Sequence, residues 1–154
     1  MLRIELANDQ DRHPVDENRL RLAVRRVLED EAVGRAVISL AVVDDSAMHL
    51  LNRKYLGHDE PTDVLSFVLE ESPDELEGEI IVSADTAAAT AQRFGWTVAD
   101  EILLYVVHGA LHLVGYDDTS PAAMAEMRAK EQIYLAEFGL KPRYEGDKEV
   151  HPLS

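Results

Sequence analysis

The sequence contains no cysteine among its 154 residues. This absence excludes a disulfide framework, and it excludes any metal site that is built on thiolates. A metal ion bound by this protein would therefore be held by histidine nitrogens and by carboxylate or carbonyl oxygens.

Long apolar runs are also missing. No stretch of 18 residues is free of charged side chains, so we expect no membrane span and no membrane partner. The first residues, MLRIELANDQDRH, lack the basic start and the apolar run of a signal peptide. These features together favour a cytoplasmic protein.

Positive charge is scarce, because 15 lysines and arginines face 30 aspartates and glutamates, for a net charge of −15. Such a balance argues against nucleic-acid binding through a general basic surface, and DNA is not an expected partner. The simplest interpretation is a well-solvated, self-repelling surface. A local basic patch remains compatible with it, and residues 19–26 and 52–58 are the segments where one can form.

What is present is an ordinary globular composition, 46% hydrophobic and 29% charged, in a chain whose length suits one domain. Alternating or β-branched apolar segments predict strands at residues 1–6, 36–43, 62–69 and 79–83, with an acidic loop at 70–78. Capping residues and glycines predict helices after Asp16 (ending before Gly34), Asp44, Ser83, Thr97 and Ser120.

These segments predict an α+β fold in a single domain over residues 1–140. We expect about four strands in a mixed sheet that is covered by helices, followed by a polar, flexible tail at residues 141–154. The helix that begins after Thr97 is apolar nearly all round, which indicates a buried position at the centre of the domain.

That central helix carries His108 and His112, whose spacing of four places both imidazoles on one face. Two imidazoles in this arrangement can bind one metal ion, and Gly115 lets the chain turn back with a third ligand from Asp117 or Asp118. Three protein ligands would leave an open position for water, as in catalytic zinc sites. The alternative is a pair of histidines satisfied by backbone carbonyls. Zinc suits these ligands best, with manganese or nickel as alternatives.

The same spacing of histidines, glycine and acid also occurs in the metzincin peptidases. Those enzymes place a glutamate directly after the first histidine as general base, whereas this chain has Gly109 there. A glycine cannot accept a proton from water. A zinc peptidase is therefore the second enzymatic hypothesis, and it requires some other base.

The segment HGALHLVGYDD resembles the YbeY family of bacterial endoribonucleases and ribosomal RNA maturation factors. It matches the family motif H-G-x-L-H-L-x-G-Y-D-H at every position except the last. The resemblance extends upstream, where Asn52, Tyr55, Gly57, Asp59 and the run from Pro61 to Phe67 are similar to N-x-x-Y-R-G-x-D-x-P-T-D-V-L-S-F, and Gly78-Glu79-Ile80 is similar to G-D-I. The likeness covers roughly residues 1–140.

The resemblance implies an α+β endoribonuclease that binds one Zn²⁺ and hydrolyses single-stranded RNA. It also implies maturation of the 3′ end of small-subunit (16S) ribosomal RNA and a part in ribosome quality control, with the small ribosomal subunit and its assembly factors as partners. By position, the zinc ligands become His108, His112 and Asp118, although the family commonly has histidine at the third place. Asp117 aligns with the family's aspartate and is the rival third ligand.

Leu56 stands where the family commonly has an arginine, which is a natural partner for a scissile phosphate. His58 or Arg53 would have to replace it. Thr62 and Asp63 begin the following strand near the expected site, and we take His58 and Asp63 as candidate catalytic residues. The sequence does not choose between attack by water and attack by the RNA 2′-hydroxyl. A non-catalytic assembly factor with a structural metal is the remaining alternative.

Overall fold

In the described part of the chain, strands and helices alternate up to a β-hairpin, which is followed by three consecutive helices. The computed structural model describes residues 1–56, 63–142 and 144, without the side chains of residues 55 and 56. The elements are β1 (Leu2–Asn8), α1 (Glu17–Asp30), β2 (Ala36–Val43), α2 (Asp45–Leu56), β3 (Val64–Glu71), β4 (Leu76–Ser83), α3 (Ala84–Phe94), α4 (Val98–Leu113) and α5 (Pro121–Ala136).

The four strands form one mixed sheet in the order β1-β2-β4-β3. The β1–β2 and β2–β4 pairs are parallel, and α1 is the connection that the first parallel pair requires. The β3–β4 pair is an antiparallel hairpin. The predicted α+β class with a four-stranded mixed sheet is confirmed.

The hairpin between β3 and β4 is tighter than the sequence suggested. The acidic loop predicted at residues 70–78 shrinks to residues 72–75, because Glu70 and Glu71 pair with Glu77 and Leu76 in the ladder. Acidic side chains are compatible with a strand whose outer face is solvated, since the ladder needs only backbone groups. The loop prediction was therefore too long at both ends.

The helix boundaries follow the capping residues that the sequence offered. Ser83, Thr97 and Ser120 each accept a hydrogen bond from a backbone N–H in the first turn of their helix, and Thr97 with Asp100 forms a complete capping box. The end of α1 differs from expectation. The helix stops at Asp30, and Ala32 (φ 61°), rather than Gly34, takes the left-handed conformation.

Helix α4 lies in the main core and packs on β4 at close range. A Cβ atom added to Gly109 would lie 2.8 Å from Ile80 Cγ2, and one added to Gly78 would lie 2.9 Å from Leu113 Cδ1. The two glycines thus allow helix and strand to approach more closely than larger residues would permit. On the other face of the sheet, Met48 of α2 packs in a smaller cluster.

The first residues of the predicted tail contact the domain, because Pro142 and Tyr144 are buried. The boundary at residue 140 and the flexible tail remain predictions, and residues 145–154 lie outside the described part of the chain. Over the described residues, no helix combines the length and apolarity needed to cross a membrane.

Candidate metal centre

The two histidines of α4 meet at their ring tips. His108 Nε2 and His112 Nε2 are 3.0 Å apart, and the ring planes stand at 85° to each other. Both rings are partly buried. The helical spacing of four therefore aims both Nε2 atoms at one point, as the sequence predicted.

The turn after α4 brings a carboxylate to the same point. Gly115 has φ 107°, a conformation that favours glycine, and the chain reverses there. Asp118 Oδ2 then lies 3.9 Å from His108 Nε2 and 3.8 Å from His112 Nε2. A point equidistant from the three atoms is about 2.1 Å from each, which matches a zinc–ligand bond of about 2.0–2.1 Å.

Asp117 has a different place in this turn. Its Oδ1 accepts hydrogen bonds from the backbone N–H of Thr119 (3.2 Å) and from the Thr119 hydroxyl (2.9 Å). Within the described residues, the cluster that can hold a metal ion consists of His108, His112 and Asp118. The geometry thus favours Asp118 over Asp117, and ligation itself remains a prediction.

The hydrogen bond at Nδ1 of each ring determines whether its Nε2 atom carries a proton. His108 Nδ1 donates to Glu131 Oε2 at 2.6 Å, and His112 Nδ1 donates to the backbone carbonyl of Tyr116 at 3.0 Å. Because both partners are acceptors, each neutral ring carries its proton on Nδ1 and a lone pair on Nε2. Two lone pairs 3.0 Å apart repel each other unless a cation lies between them, so the donor set fits a metal ion.

The ionisation of His112 is consistent with this assignment. Burial, followed by repulsion from His108, lowers the pKa of His112 below its ordinary value. The neutral ring, which is the form that ligates a metal, is therefore favoured.

Glu131 of α5 is the buried anchor of the site, with no exposed side-chain surface. It accepts hydrogen bonds from His108, from Arg128 Nη1 (3.2 Å) and from the Tyr144 hydroxyl (2.8 Å). Burial by itself raises the pKa of the Glu131 carboxyl, but the hydrogen bonds from His108 and Tyr144 and the positive charge of Arg128 outweigh burial and hold that pKa below its ordinary value.

A cleft of about 510 Å³ opens beside the metal cluster. His108 and Asp118 line one part of it, and Glu101 and Tyr105, from the same stripe of α4, line another. Asp63 is exposed at the start of β3 and lines this cleft as well as the adjoining one that contains His112. The structure thus brings one predicted catalytic candidate, Asp63, next to the histidines.

Of the remaining sequence candidates, Arg53 alone lies within the described residues. His58 and Thr62 lie outside the described residues, as does the side chain of Leu56. Arg53 is exposed in the last turn of α2 and does not line either cleft.

Sequence reasoning missed five residues of the site, and signals for three of them were present. Successive spacings of four, three and four separate Glu101, Tyr105, His108 and His112, so these residues lie along one side of a helix. Glu131 falls between Met127 and Tyr134 on the packing face of α5, where a charge requires a partner. Arg128 and Tyr144 gave no comparable signal.

Comparisons with known proteins place the chain among bacterial endoribonucleases. The family profile described as Endoribonuclease YbeY matches residues 5–139. An Endoribonuclease YbeY from Moorella thermoacetica is 43% identical over 150 residues, covering 87% of this chain and 96% of that protein. One from Salinibacter ruber is 39% identical over 140 residues, covering 86% and 89%. The solution structure of TM1509 from Thermotoga maritima aligns with a TM-score of 0.63 and 28% identity, covering 99% and 94% of the two chains.

Proposed function

The chain belongs to the Endoribonuclease YbeY family, and from this membership we propose that it is a zinc-dependent endoribonuclease specific for single-stranded RNA. We place its action in the cytoplasm, on the small ribosomal subunit, where it matures the 3′ end of 16S ribosomal RNA and takes part in ribosome quality control.

The observation that carries the zinc assignment is the pair of Nε2 atoms, 3.0 Å apart, with the Asp118 carboxylate beside them. Neutral imidazole and carboxylate are ligands that zinc accepts in catalytic sites, and three of them leave a position for substrate or water. The hydrogen bonds to Glu131 and to the Tyr116 carbonyl hold both rings in the ligating orientation.

When bound, zinc supplies a Lewis acid that polarises a phosphate oxygen and lowers the pKa of a coordinated nucleophile. The chain's own residues then have separate tasks. Glu131 keeps His108 in one tautomer, and Asp63 stands at the junction of the two clefts as the candidate acceptor for the nucleophile's proton. His58 is the second candidate catalytic residue, in the part of the chain that the structure does not describe.

The peptidase hypothesis has no support from the site. Gly109, which takes the place of the peptidase glutamate, faces the sheet, where an added Cβ would lie 2.8 Å from Ile80 Cγ2. A larger side chain could not enter there without displacing the Ile80 side chain, and it would point into the packing with β4 rather than into the clefts, so this position has no role as a general base.

The proposal is tested by incubating the zinc-loaded protein with matched single-stranded and duplex RNA. We expect cleavage of the single strand, and the proposal fails if that strand stays intact while another family member cuts it.

His112→Ala should give a folded protein without zinc and without activity, with His49→Ala on α2 as the control. A His112→Ala protein that unfolds would instead favour a structural metal in a non-catalytic assembly factor.

Three further measurements define the chemistry and the substrate. A 2′,3′-cyclic phosphate on the product identifies the RNA 2′-hydroxyl as nucleophile, whereas its absence from the earliest products favours water. Asp63→Asn should lower kcat more than it raises KM if Asp63 accepts the proton.

Loss of the protein in its cell should leave 16S ribosomal RNA with unprocessed 3′ ends, and normal ends would refute the assigned role in maturation.

A further inference from the structure

Arg128 lies on α5 and lines the same cleft as His108 and Asp118. Its side chain is 33% exposed, so the guanidinium is accessible from solvent although it is held in place. The Cζ atom lies 3.8 Å from the centre of the Tyr144 ring, and Nη1 donates to Glu131 Oε1 at 3.2 Å. Two contacts of different kinds therefore define both the plane and the rotation of the guanidinium.

These contacts link Arg128 to the metal cluster through one carboxylate. Glu131 accepts from His108 with Oε2 and from Arg128 with Oε1, so the two donors are fixed relative to each other. Because the shared carboxylate is completely buried, neither contact is loosened by solvent. The guanidinium is thus positioned beside the cluster before any substrate arrives.

A single ion pair uses only some of the hydrogen-bond donors of an arginine. The guanidinium carries five N–H donors, and the described contacts to Glu131 use Nη1 alone. The donors form a planar fork that matches two oxygens of a phosphate, and a fork already oriented by stacking loses little further entropy on binding.

The charge of the cleft makes such a residue necessary for an RNA substrate. The walls carry the carboxylates of Asp63, Glu101 and Asp118, and the whole chain has a net charge of −15. Among the described residues that line the two clefts, Arg93 and Arg128 are the cationic side chains that are always charged. Of these two, Arg128 is the one tied to His108 through Glu131.

We propose that Arg128 binds a phosphate of the single-stranded RNA next to the metal cluster, and that Tyr144 and Glu131 position its guanidinium. This inference rests on the proposed function and identifies a phosphate contact of the same site. It also assigns a task to Tyr144, which is to provide the ring on which the guanidinium stacks.

The test measures binding separately from cleavage. A fluorescent, fully 2′-O-methylated single-stranded oligonucleotide is titrated with the protein at saturating zinc, and its affinity is followed by anisotropy at several salt concentrations. For Arg128→Gln we expect about tenfold weaker binding, and a salt dependence of log K that is shallower by about 0.7, the contribution of one phosphate contact on a single strand.

Two further variants separate a phosphate contact from a structural ion pair. Arg21→Gln is the matched control, since Arg21 is also a helical arginine with a carboxylate partner (Glu17) but lies outside the clefts, and it should change neither value. Arg128→Lys keeps the charge and should keep the salt dependence, while the loss of the fork and of stacking weakens binding.

The inference is overturned if Arg128→Gln, folded and saturated with zinc, binds with the affinity and salt dependence of the unchanged protein. It is also overturned if Arg21→Gln reproduces the loss. A zinc-loaded protein that binds the oligonucleotide through Arg128 but leaves unmodified RNA intact would refute the proposed function alone. Efficient RNA cleavage with an unaltered KM in Arg128→Gln would refute the inference alone.

Discussion

At the scale of single residues, Glu131 is the side chain on which the geometry of the site depends. Its carboxylate orients His108 of the metal cluster and Arg128 of the cleft. It also accepts a hydrogen bond from the Tyr144 hydroxyl. A buried charge of this kind is costly unless its partners satisfy it, and here three donors do so.

Replacing Glu131 by glutamine should weaken zinc binding by about 10- to 100-fold, because a neutral amide orients His108 less firmly and donates as readily as it accepts. Competition with a chromogenic chelator measures the affinity. Glu126→Gln, an exposed position on the same helix, should bind zinc as the unchanged protein does. Equal affinities in the two variants would contradict a positioning role for Glu131.

The close packing around Gly109 predicts that a larger residue there would destabilise the fold. Gly109→Ala places a Cβ 2.8 Å from Ile80 Cγ2 in the buried contact between α4 and β4, and overpacking of this kind costs about 1–3 kcal/mol. Urea denaturation measures the free energy of unfolding. Gly34→Ala, where an added Cβ meets nothing within 4 Å, is the control, and a similar loss there would show that the close approach is not the cause.

At the scale of elements, α4 is both the central core helix and the carrier of the site. Its stripe of Glu101, Tyr105, His108 and His112 lines the clefts, while most of its other residues are buried in apolar packing. Glu101 belongs to that stripe, is only 3% exposed, and accepts a hydrogen bond from Trp96 Nε1 at 2.7 Å. A carboxylate in this position makes the stability of the helix packing depend on pH.

Burial raises the pKa of Glu101, and the hydrogen bonds from Trp96 and Tyr105 offset this only in part. A carboxyl with a raised pKa in the folded state stabilises the fold below its ordinary pKa, and that stability is lost as pH rises through the raised value. Glu101→Gln keeps the acceptor without the charge. The melting temperature of the variant relative to the unchanged protein should therefore increase between about pH 4 and about pH 7. A difference that does not vary with pH would contradict this expectation.

At the scale of the whole molecule, the metal cluster joins α4 to the turn after it and is linked to α5 through the hydrogen bond between His108 and Glu131, so zinc binding should stabilise the entire domain. A ligand that binds only the folded state at 100 times its Kd adds about 2.7 kcal/mol, which corresponds to a rise in Tm of about 5–10 °C for a chain of this size. Thermal melts with zinc and with excess chelator measure the rise. His112→Ala should melt at one temperature under both conditions, and a zinc-dependent shift in that variant would indicate a different binding site.

Much of the fold was predictable, because its signals are local. The capping residues Ser83, Thr97 and Ser120 begin helices as expected, and the apolar run at residues 36–43 is a strand, since such signals act over a single helix turn or strand. The acidic hairpin was mispredicted for the complementary reason. Whether Glu70 and Glu71 lie in a loop or a strand is decided by the partner strand, which local composition does not reveal.

The sequence by itself determined that the two histidines lie side by side, because His108 and His112 are neighbours on any helix that contains them. It also determined the family, through motifs that are contiguous in the chain. Only the tertiary structure shows which acid lies beside the pair, since Asp117 and Asp118 are adjacent in a turn whose path depends on Gly115. Only the structure brought Glu131, Arg128 and Tyr144 to the site. Glu131 contacts His108 because α5 packs on α4, and Tyr144 contacts Glu131 and Arg128 from beyond the end of α5. No periodicity within one segment specifies a partner in another.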